Sequence, residues 1–494
     1  MTAAPDMAVD LAIVGAGPAA MAAAGLASGH GLSVMVIDEQ PRPGGQFLHQ
    51  PPAEFSVAGW LPGRLYAHAK TVLADAIAGE DIDWRLGQTV LGLFPRRDDS
   101  GHRLWLATPS STTMVAARTV LLANGAYDLP VVFPGWTLPG VMATGGIQTF
   151  IKSQQLLPGA RFVLAGSHPL QLIVADQIVR AGGTVAAVIF AQSAARAARL
   201  AAHPLIAMRH GAQLGAIAGI IARLTAAGVP IRFGQAVVEA EGGTALDAVH
   251  VAPLTRAGAI VPDAASTIPC DRLGLCYGFL ASSELARQAG AACDWRAEQG
   301  GWIVHHDRWM RSTVPDLWVA GEITGVAGAD VALEEGRLAA LGILQKLGRL
   351  MPERAEKLAR PVRRRLVRGR TFGALLQSLS APPSGLLNSL MADDATLCRC
   401  ECVSVGTLRQ ILADNPSAAT ANAMKLLTRA GMGPCQGRFC QHNVVRLVAD
   451  ARGIAEGDTG GFTAQAPIKP VPVGLAASLD PACGRLNQPP PNPR

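Results

Sequence analysis

The sequence predicts an α/β protein in which two Rossmann-like dinucleotide folds precede a small helical domain with clustered cysteines. Three observations predict it. A glycine-rich strand-turn-helix stands near the N-terminus, in "DLAIVGAGPAAMAAAGLASGHGLSVMVIDEQ". The same pattern recurs in altered form at "ARFVLAGSHPLQLIVADQIVRAGGTVAAVIF". Four cysteines then gather near the C-terminus, Cys398 and Cys400 in "LCRCECV" and Cys435 and Cys440 in "GPCQGRFC", in a chain whose first 269 residues contain none.

The first motif has its parts in order. A strand leads into Gly15-Ala16-Gly17-Pro18-Ala19-Ala20, a helix of small residues follows, and a second strand ends at Asp38. Gly15 permits the tight turn, Gly17 lets the backbone approach a pyrophosphate, and Ala20 is small enough for close helix–strand packing. The pyrophosphate would sit on the helix N-terminus, with Asp38 accepting hydrogen bonds from ribose hydroxyls. The N-terminal position of the motif suggests FAD, and three later segments agree. "QPRPGGQ" can pass close to a flavin. "TVLLANGAYDLP" is a strand entering a turn at Gly125. "TVPDLWVAGE" resembles the second FAD motif of two-dinucleotide flavoproteins, which implies that the acid after Gly321, here Glu322 where aspartate is more usual, binds the ribityl chain. Glu39, Arg42, Gly45 and Gln46 around the first of these segments, and Val90 beyond it, complete the candidate FAD contacts.

The second motif is eroded. Its key positions are Gly166, His168 and Gln171, and its second strand ends at Phe190. His168 puts a side chain where a phosphate needs bare backbone, Gln171 is bulky at the packing position, and Phe190 cannot bind a ribose hydroxyl. NAD(P)H binding should suffer, so electrons would arrive from an organic substrate or a partner. Thiol reductases of this type carry their cysteine pair in one of the two dinucleotide domains; with no cysteine before Cys270, disulfide reductase chemistry is excluded.

Cys398 and Cys400 are spaced by one residue and Cys435 and Cys440 by four, with 34 residues between the pairs. "VSVGTLRQILADNP" and "ATANAMKLLTRAGMG" both show helical periodicity, enough for a helix-loop-helix that brings the pairs together. Thiolates suit zinc or an iron–sulfur cluster. The one-residue spacing counts against zinc, and a flavoprotein context favours [2Fe-2S]. Cys402 is an extra thiol that could replace a ligand, and His442 reads as a surface histidine.

The 494 residues suggest several domains. Mean hydropathy is positive, yet the longest apolar run, residues 214–222, is too short to cross a bilayer. The N-terminus is acidic where a signal peptide is basic, so the chain is expected to be cytoplasmic with no transmembrane segment. The net charge of +6 is concentrated between residues 351 and 372, where eight basic residues stand with two acidic ones. No aromatic residues interleave with them, which argues against nucleic acid; a solvated basic helix is the expected reading, with a docking surface for an acidic partner as the alternative.

On these motifs the first 345 or so residues resemble the pyridine nucleotide–disulfide oxidoreductase fold. Residues 395–450 resemble the bacterioferritin-associated ferredoxin type of [2Fe-2S] domain, with a closing pair spaced by four residues where that type usually has two. With "DLWVAGEITGVAGADVALEEGRLAALG" and "LTRAGMGPCQGRFC", the whole chain resembles the α subunits of heteromeric FAD-dependent amino-acid and opine dehydrogenases. The resemblance implies FAD and a [2Fe-2S] cluster on this chain. It also implies a partner β flavoprotein subunit that oxidises the amine and, as a further partner, a small ferredoxin-like subunit. The implied domains are a discontinuous FAD domain (1–130 and 255–345), a degenerate NAD(P)-like domain (131–254), a basic helical connector (346–394), the cluster domain (395–450) and a proline-rich tail (451–494). Within that tail "FTAQAPIKPVPVGLAA" should run extended, and residues 478–494 should be disordered. The competing expectation is a stand-alone NAD(P)H-dependent ferredoxin or flavin reductase.

Overall fold

A computed structural model describes residues 8–79, 81–95 and 101–477. The strand Ala8–Val14 lies at the centre of the first sheet. Leu11 pairs in parallel with Val34 on one side and with Thr119 on the other. Ile82–Leu86 extends the sheet beyond Val34–Asp38, and Leu317–Val319 adds to Thr112–Leu122, both in parallel. An antiparallel hairpin, Thr89–Pro95 and His102–Ala107, completes it. Strands covered on both faces are continuous apolar runs, and Leu11 to Ile13 and Met35 to Ile37 are fully buried.

Helix Pro18–Ser28 lies on this sheet, and the long helix Ala329–Lys346 crosses it at backbone contact. A Cβ at Gly336 would stand 2.0 Å from the Ala19 carbonyl oxygen. The next helix, Pro352–Ser380, holds the basic run. The expectation of a solvated helix is corrected in part. Arg370 pairs at 2.8 Å with Glu335, which is only 1% exposed, Arg365 pairs at 2.9 Å with Glu334, and Arg363 stacks 4.4 Å from the Trp309 ring centroid. These contacts fasten the connector to the flavin fold, because a buried carboxylate left alone costs several kcal/mol, about 3–5. Arg354, Lys357, Arg360, Arg364 and Arg368 remain exposed.

The second sheet is wholly parallel, in the order Ile231–Phe233, Thr184–Phe190, Arg161–Gly166, Arg272–Cys276, Val141–Ala143. It therefore runs past the boundary expected at residue 254. Leu273 and Leu275 pair beside the buried strand Arg161–Gly166, a long-range pairing that local pattern does not reveal. A three-stranded antiparallel sheet, Gln235–Glu241, Ala248–Pro253 and Ser266–Pro269, packs nearby.

The C-terminal helices Val405–Asp414 and Ala421–Thr428 form the expected pair. Each begins at a hydroxyl cap: Ser404 Oγ accepts from the Thr407 N–H and Thr420 Oγ1 from the Ala423 N–H, both at 3.1 Å. Helix Gln441–Arg452 closes the unit. Leu408, Met424 and Val444 share one buried cluster with Val163 and Val251 of the second fold, and the Trp136 indole donates to the Thr396 carbonyl at 2.6 Å. The cysteine unit thus has no separate core. The tail returns to the first sheet, where the Ile468 N–H donates to the Leu91 carbonyl at 2.8 Å and Lys469 pairs with Glu39. The segment expected to be disordered, 478–494, lies outside the described residues. No helix among the described residues is long and apolar enough to cross a membrane.

Candidate functional site

The first dinucleotide turn is held by its own backbone. The Gly15 N–H donates to the Ile37 carbonyl at 2.7 Å, and Gly15 has φ +100°, where a Cβ would meet the Ala123 carbonyl oxygen at 2.4 Å. Gly17 caps helix Pro18–Ser28 with no side-chain acceptor, so its first-turn N–H groups stay free for an anion. Asp38 closes the turn from below. Its Oδ2 accepts from the Ala16 N–H at 2.6 Å and its Oδ1 from the Gln40 N–H at 2.7 Å. A carboxylate has about four acceptor sites, which leaves room for ribose hydroxyls. Burial raises the Asp38 pKa against those two N–H bonds.

The segments expected around a flavin converge here. The Gly44 N–H donates to the Ala16 carbonyl at 2.8 Å, and a Cβ at Gly45 would lie 2.7 Å from the Cα of Gly17. Gln46 Nε2 donates to the Ala126 carbonyl at 3.1 Å, and the Gly125 carbonyl accepts from the Ser282 N–H at 3.0 Å. Arg42 turns back to the Pro51 carbonyl at 2.8 Å. Ala20 is fully buried against the crossing helix, and Val90 is a core residue in one cluster with Val14 and Ile37. Glu39 is paired with Lys469 of the tail. Glycine backbone at a helix N-terminus without a side-chain cap, with an acid at the end of the second strand, fits a dinucleotide such as FAD.

Glu335 was not singled out from the sequence. Its Oε2 accepts from the Gly321 N–H and from Thr324 Oγ1, both at 2.8 Å, so it fixes the turn that presents Glu322. The signal was a carboxylate on the inner face of an apolar helix, between Val331 and Leu338. Lys152 was also missed. Its Nζ donates to the Phe47 carbonyl at 2.9 Å beneath the Gly44-Gly45 loop, faces the Tyr66 ring at 5.2 Å, and is pushed down to about 7 by burial. Nothing local in "FIKSQ" announces it.

Burial, with Glu335 nearby and a Gly328 N–H opposing, raises Glu322 to about 7. Between pH ~4.5 and ~7 the folded protein keeps a proton that the unfolded chain releases, so stability should fall across that interval and level off above it, by up to about 3 kcal/mol. Urea unfolding of the flavin-free protein between pH 4 and 8 measures this, and Glu322→Gln should flatten that part of the profile. An unchanged profile in the variant would remove Glu322 as its source.

The second dinucleotide turn is filled by the chain itself. His168 Nδ1 accepts the Leu170 N–H at 3.2 Å, taking a donor that a phosphate would use, and the imidazole is kept neutral by burial, its pKa lowered to about 4. The ring meets Phe279 edge-on at 4.9 Å. Gln171 is fully buried and donates to the Ile189 carbonyl at 3.3 Å. Phe190 stacks on Phe233 at 5.1 Å, where a ribose-binding acid would otherwise stand.

The four cysteines fall into two pairs. Cys398 interacts with Cys440 and Cys400 with Cys435. Donation from the Cys440 thiol lowers Cys398 to about 5 against its burial, and N–H groups of Gly431, Glu401 and Cys400 add to this; Cys440 is raised correspondingly. Gly433 makes the approach possible, since a Cβ there would lie 2.2 Å from the Cβ of Cys400. Among the described residues, no three His, Cys, Asp or Glu side chains converge closely enough to hold a metal as they stand. Cys402 turns aside, with φ +52° and its sulfur 3.9 Å from the Arg399 carbonyl. His442 is corrected from surface to interior. It is 7% exposed, stacked on Trp295 at 5.4 Å, and its Nε2 has no partner among the described residues.

With two dinucleotide folds in series, one with its glycine turn intact and one with His168 and Gln171 standing in its turn, the architecture is that of a flavin oxidoreductase. The pyridine nucleotide-disulphide oxidoreductase profile matches residues 9–336, and the sarcosine oxidase A3 domain profile matches residues 403–479. An opine oxidase subunit of Rhizobium meliloti (strain 1021) is 32% identical, covering 95% of this chain and 98% of its own. Hydrogen cyanide synthase subunit HcnB of Pseudomonas protegens is 31% identical, covering 94% and 97%. The crystal structure of L-proline dehydrogenase from P. horikoshii shares the fold with a TM-score of 0.68 at 20% identity, covering 95% of this chain and 79% of that one. The chain belongs to the pyridine nucleotide-disulphide oxidoreductase family and, along nearly its whole length, to the group that contains HcnB and this opine oxidase subunit.

Proposed function

We propose that this chain is the FAD- and [2Fe-2S]-containing electron-transfer subunit of a heteromeric dehydrogenase or oxidase acting on an amino acid or opine-type secondary amine. The observation that carries the reading is the contrast between the two dinucleotide turns. One leaves its glycine backbone and Asp38 available; the other is filled by His168, Phe190 and Phe233. The relatives' names supply the reaction class and the expectation of a partner.

When bound, FAD accepts electrons in pairs and passes them on singly, and a [2Fe-2S] centre takes them one at a time. The chain's own part is to bind and orient. Gly15, Gly17 and Gly45 would admit the pyrophosphate, Asp38 would take the ribose, and Gly321 with Glu322 would face the ribityl chain. The donor set that would hold the cluster is Cys398, Cys400, Cys435 and Cys440. Their pairing supports this set, and the backbone N–H groups aimed at Cys398 favour a thiolate there. In this reading a β flavoprotein subunit oxidises the amine, and a small ferredoxin-like subunit is a further partner.

The flavin-loaded chain, assayed alone with proline, sarcosine or octopine and a dye acceptor, should show no turnover above background. Turnover at ordinary enzymatic rates, about 1 per second or more, would place amine oxidation on this chain and overturn the division of labour.

A further inference from the structure

Between the crossover strand Ala126–Asp128, the loop that carries Cys435 and Cys440, and the returning tail lies a cavity of about 380 Å³, within the range of small-molecule sites. None of the glycines of the first dinucleotide turn and none of the cysteines lines it. Its charged lining is three cations, Arg287, Lys425 and Arg438, against one carboxylate, Glu284.

The cations are held without being neutralised. Arg287 donates to the Phe462 carbonyl at 2.5 Å, and Arg438 donates to the carbonyls of Cys435 at 3.3 Å and Ile468 at 3.0 Å. Carbonyl partners fix a guanidinium but carry no charge, and five N–H donors per arginine leave others to spare. Lys425 sits 5.4 Å from the centre of the Phe462 ring. Glu284 is engaged by the Tyr127 hydroxyl at 3.1 Å and by Ser282 Oγ at 3.3 Å. The tail wall is largely apolar, with Phe462, Pro467 and Ile468.

We propose that this cavity binds a small organic anion, its carboxylate or phosphate head held by Arg287 and Arg438 and its body against the Phe462 wall. Two fixed guanidiniums suit the planar or tetrahedral oxygens of such a head. Because the walls come from the flavin fold, the cysteine loop and the tail, a bound anion would fasten all three together. This site goes beyond the electron-transfer reading and stands without it.

Calorimetric titration of the flavin-loaded protein with phenyl phosphate and with benzoate tests it, the same ring carrying the two heads. Flavin loading keeps the dinucleotide phosphate site filled. At least one probe should bind with a Kd below about 1 mM, and the better one identifies the head. Arg287→Gln with Arg438→Gln should weaken binding at least about tenfold. Glu284→Gln, which removes the opposing charge, should tighten it, and Arg354→Gln on the exposed basic helix should leave it unchanged. If the double variant fails to fold, Glu284→Gln and Lys425→Met carry the test with opposite signs. Failure of both probes to bind below about 10 mM, unchanged binding in the arginine variants, or weaker binding in Glu284→Gln would overturn the proposal.

Discussion

Replacing Gly45 by alanine should strip the flavin from this protein. The new Cβ would lie 2.7 Å from the Cα of Gly17, with the residue at φ +57°. A left-handed conformation alone costs an alanine about 1–2 kcal/mol, and the clash is with backbone, so no side chain can swing away. Relief requires the two loops to part, which moves Gly17 from the position that lets the pyrophosphate reach the helix N-terminus. The ratio of flavin to protein absorbance after purification should drop at least about tenfold, with the far-UV circular dichroism unchanged. Gly25→Ala, an exposed helical position with nothing within 4 Å of the added atom, is the control. It should keep its flavin and gain up to about 1 kcal/mol of stability. Normal flavin content in Gly45→Ala would mean that this loop does not touch the cofactor.

Serine at any of Cys398, Cys400, Cys435 or Cys440 should abolish iron and acid-labile sulfide, whereas serine at Cys402 should leave both in place. The difference follows from geometry. Cys398 interacts with Cys440 and Cys400 with Cys435 near the turn at Gly433, while the Cys402 sulfur lies 3.9 Å from the Arg399 carbonyl. A hydroxyl is a poor substitute for a thiolate on iron. Metal and sulfide analysis of anaerobically purified protein reads the result. Zinc in place of iron, iron that survives all four substitutions, or its loss in Cys402→Ser would each break the assignment.

The parts legible in the sequence were those set by local chemistry. Gly15, Gly17 and Asp38 lie within one strand-turn-helix-strand, so their spacing alone placed them in one turn, and the same spacing marked His168 and Phe190 at the corresponding positions of the second. The two helices between the cysteine pairs were readable from periodicity. What could not be read depends on partners far along the chain. The strand Arg272–Cys276 joins the second sheet only because Arg161–Gly166 has an open side. His442 follows Cys440 closely and reads as a polar residue on an amphipathic helix, and its burial is created by Trp295 across the unit. Glu335 and the Arg370 that meets it lie on successive helices, and only their packing makes the basic connector part of the flavin fold.

The measurement that bears most directly on the central claim is an anaerobic titration of the purified, flavin-loaded chain with NADH, followed by dithionite, with the visible spectrum recorded throughout. With the second dinucleotide turn filled by His168, Phe190 and Phe233, the oxidised flavin band should persist through excess NADH and bleach only with dithionite. Prompt bleaching by NADH would show that the second fold still delivers hydride, and the chain would then be a reductase in its own right.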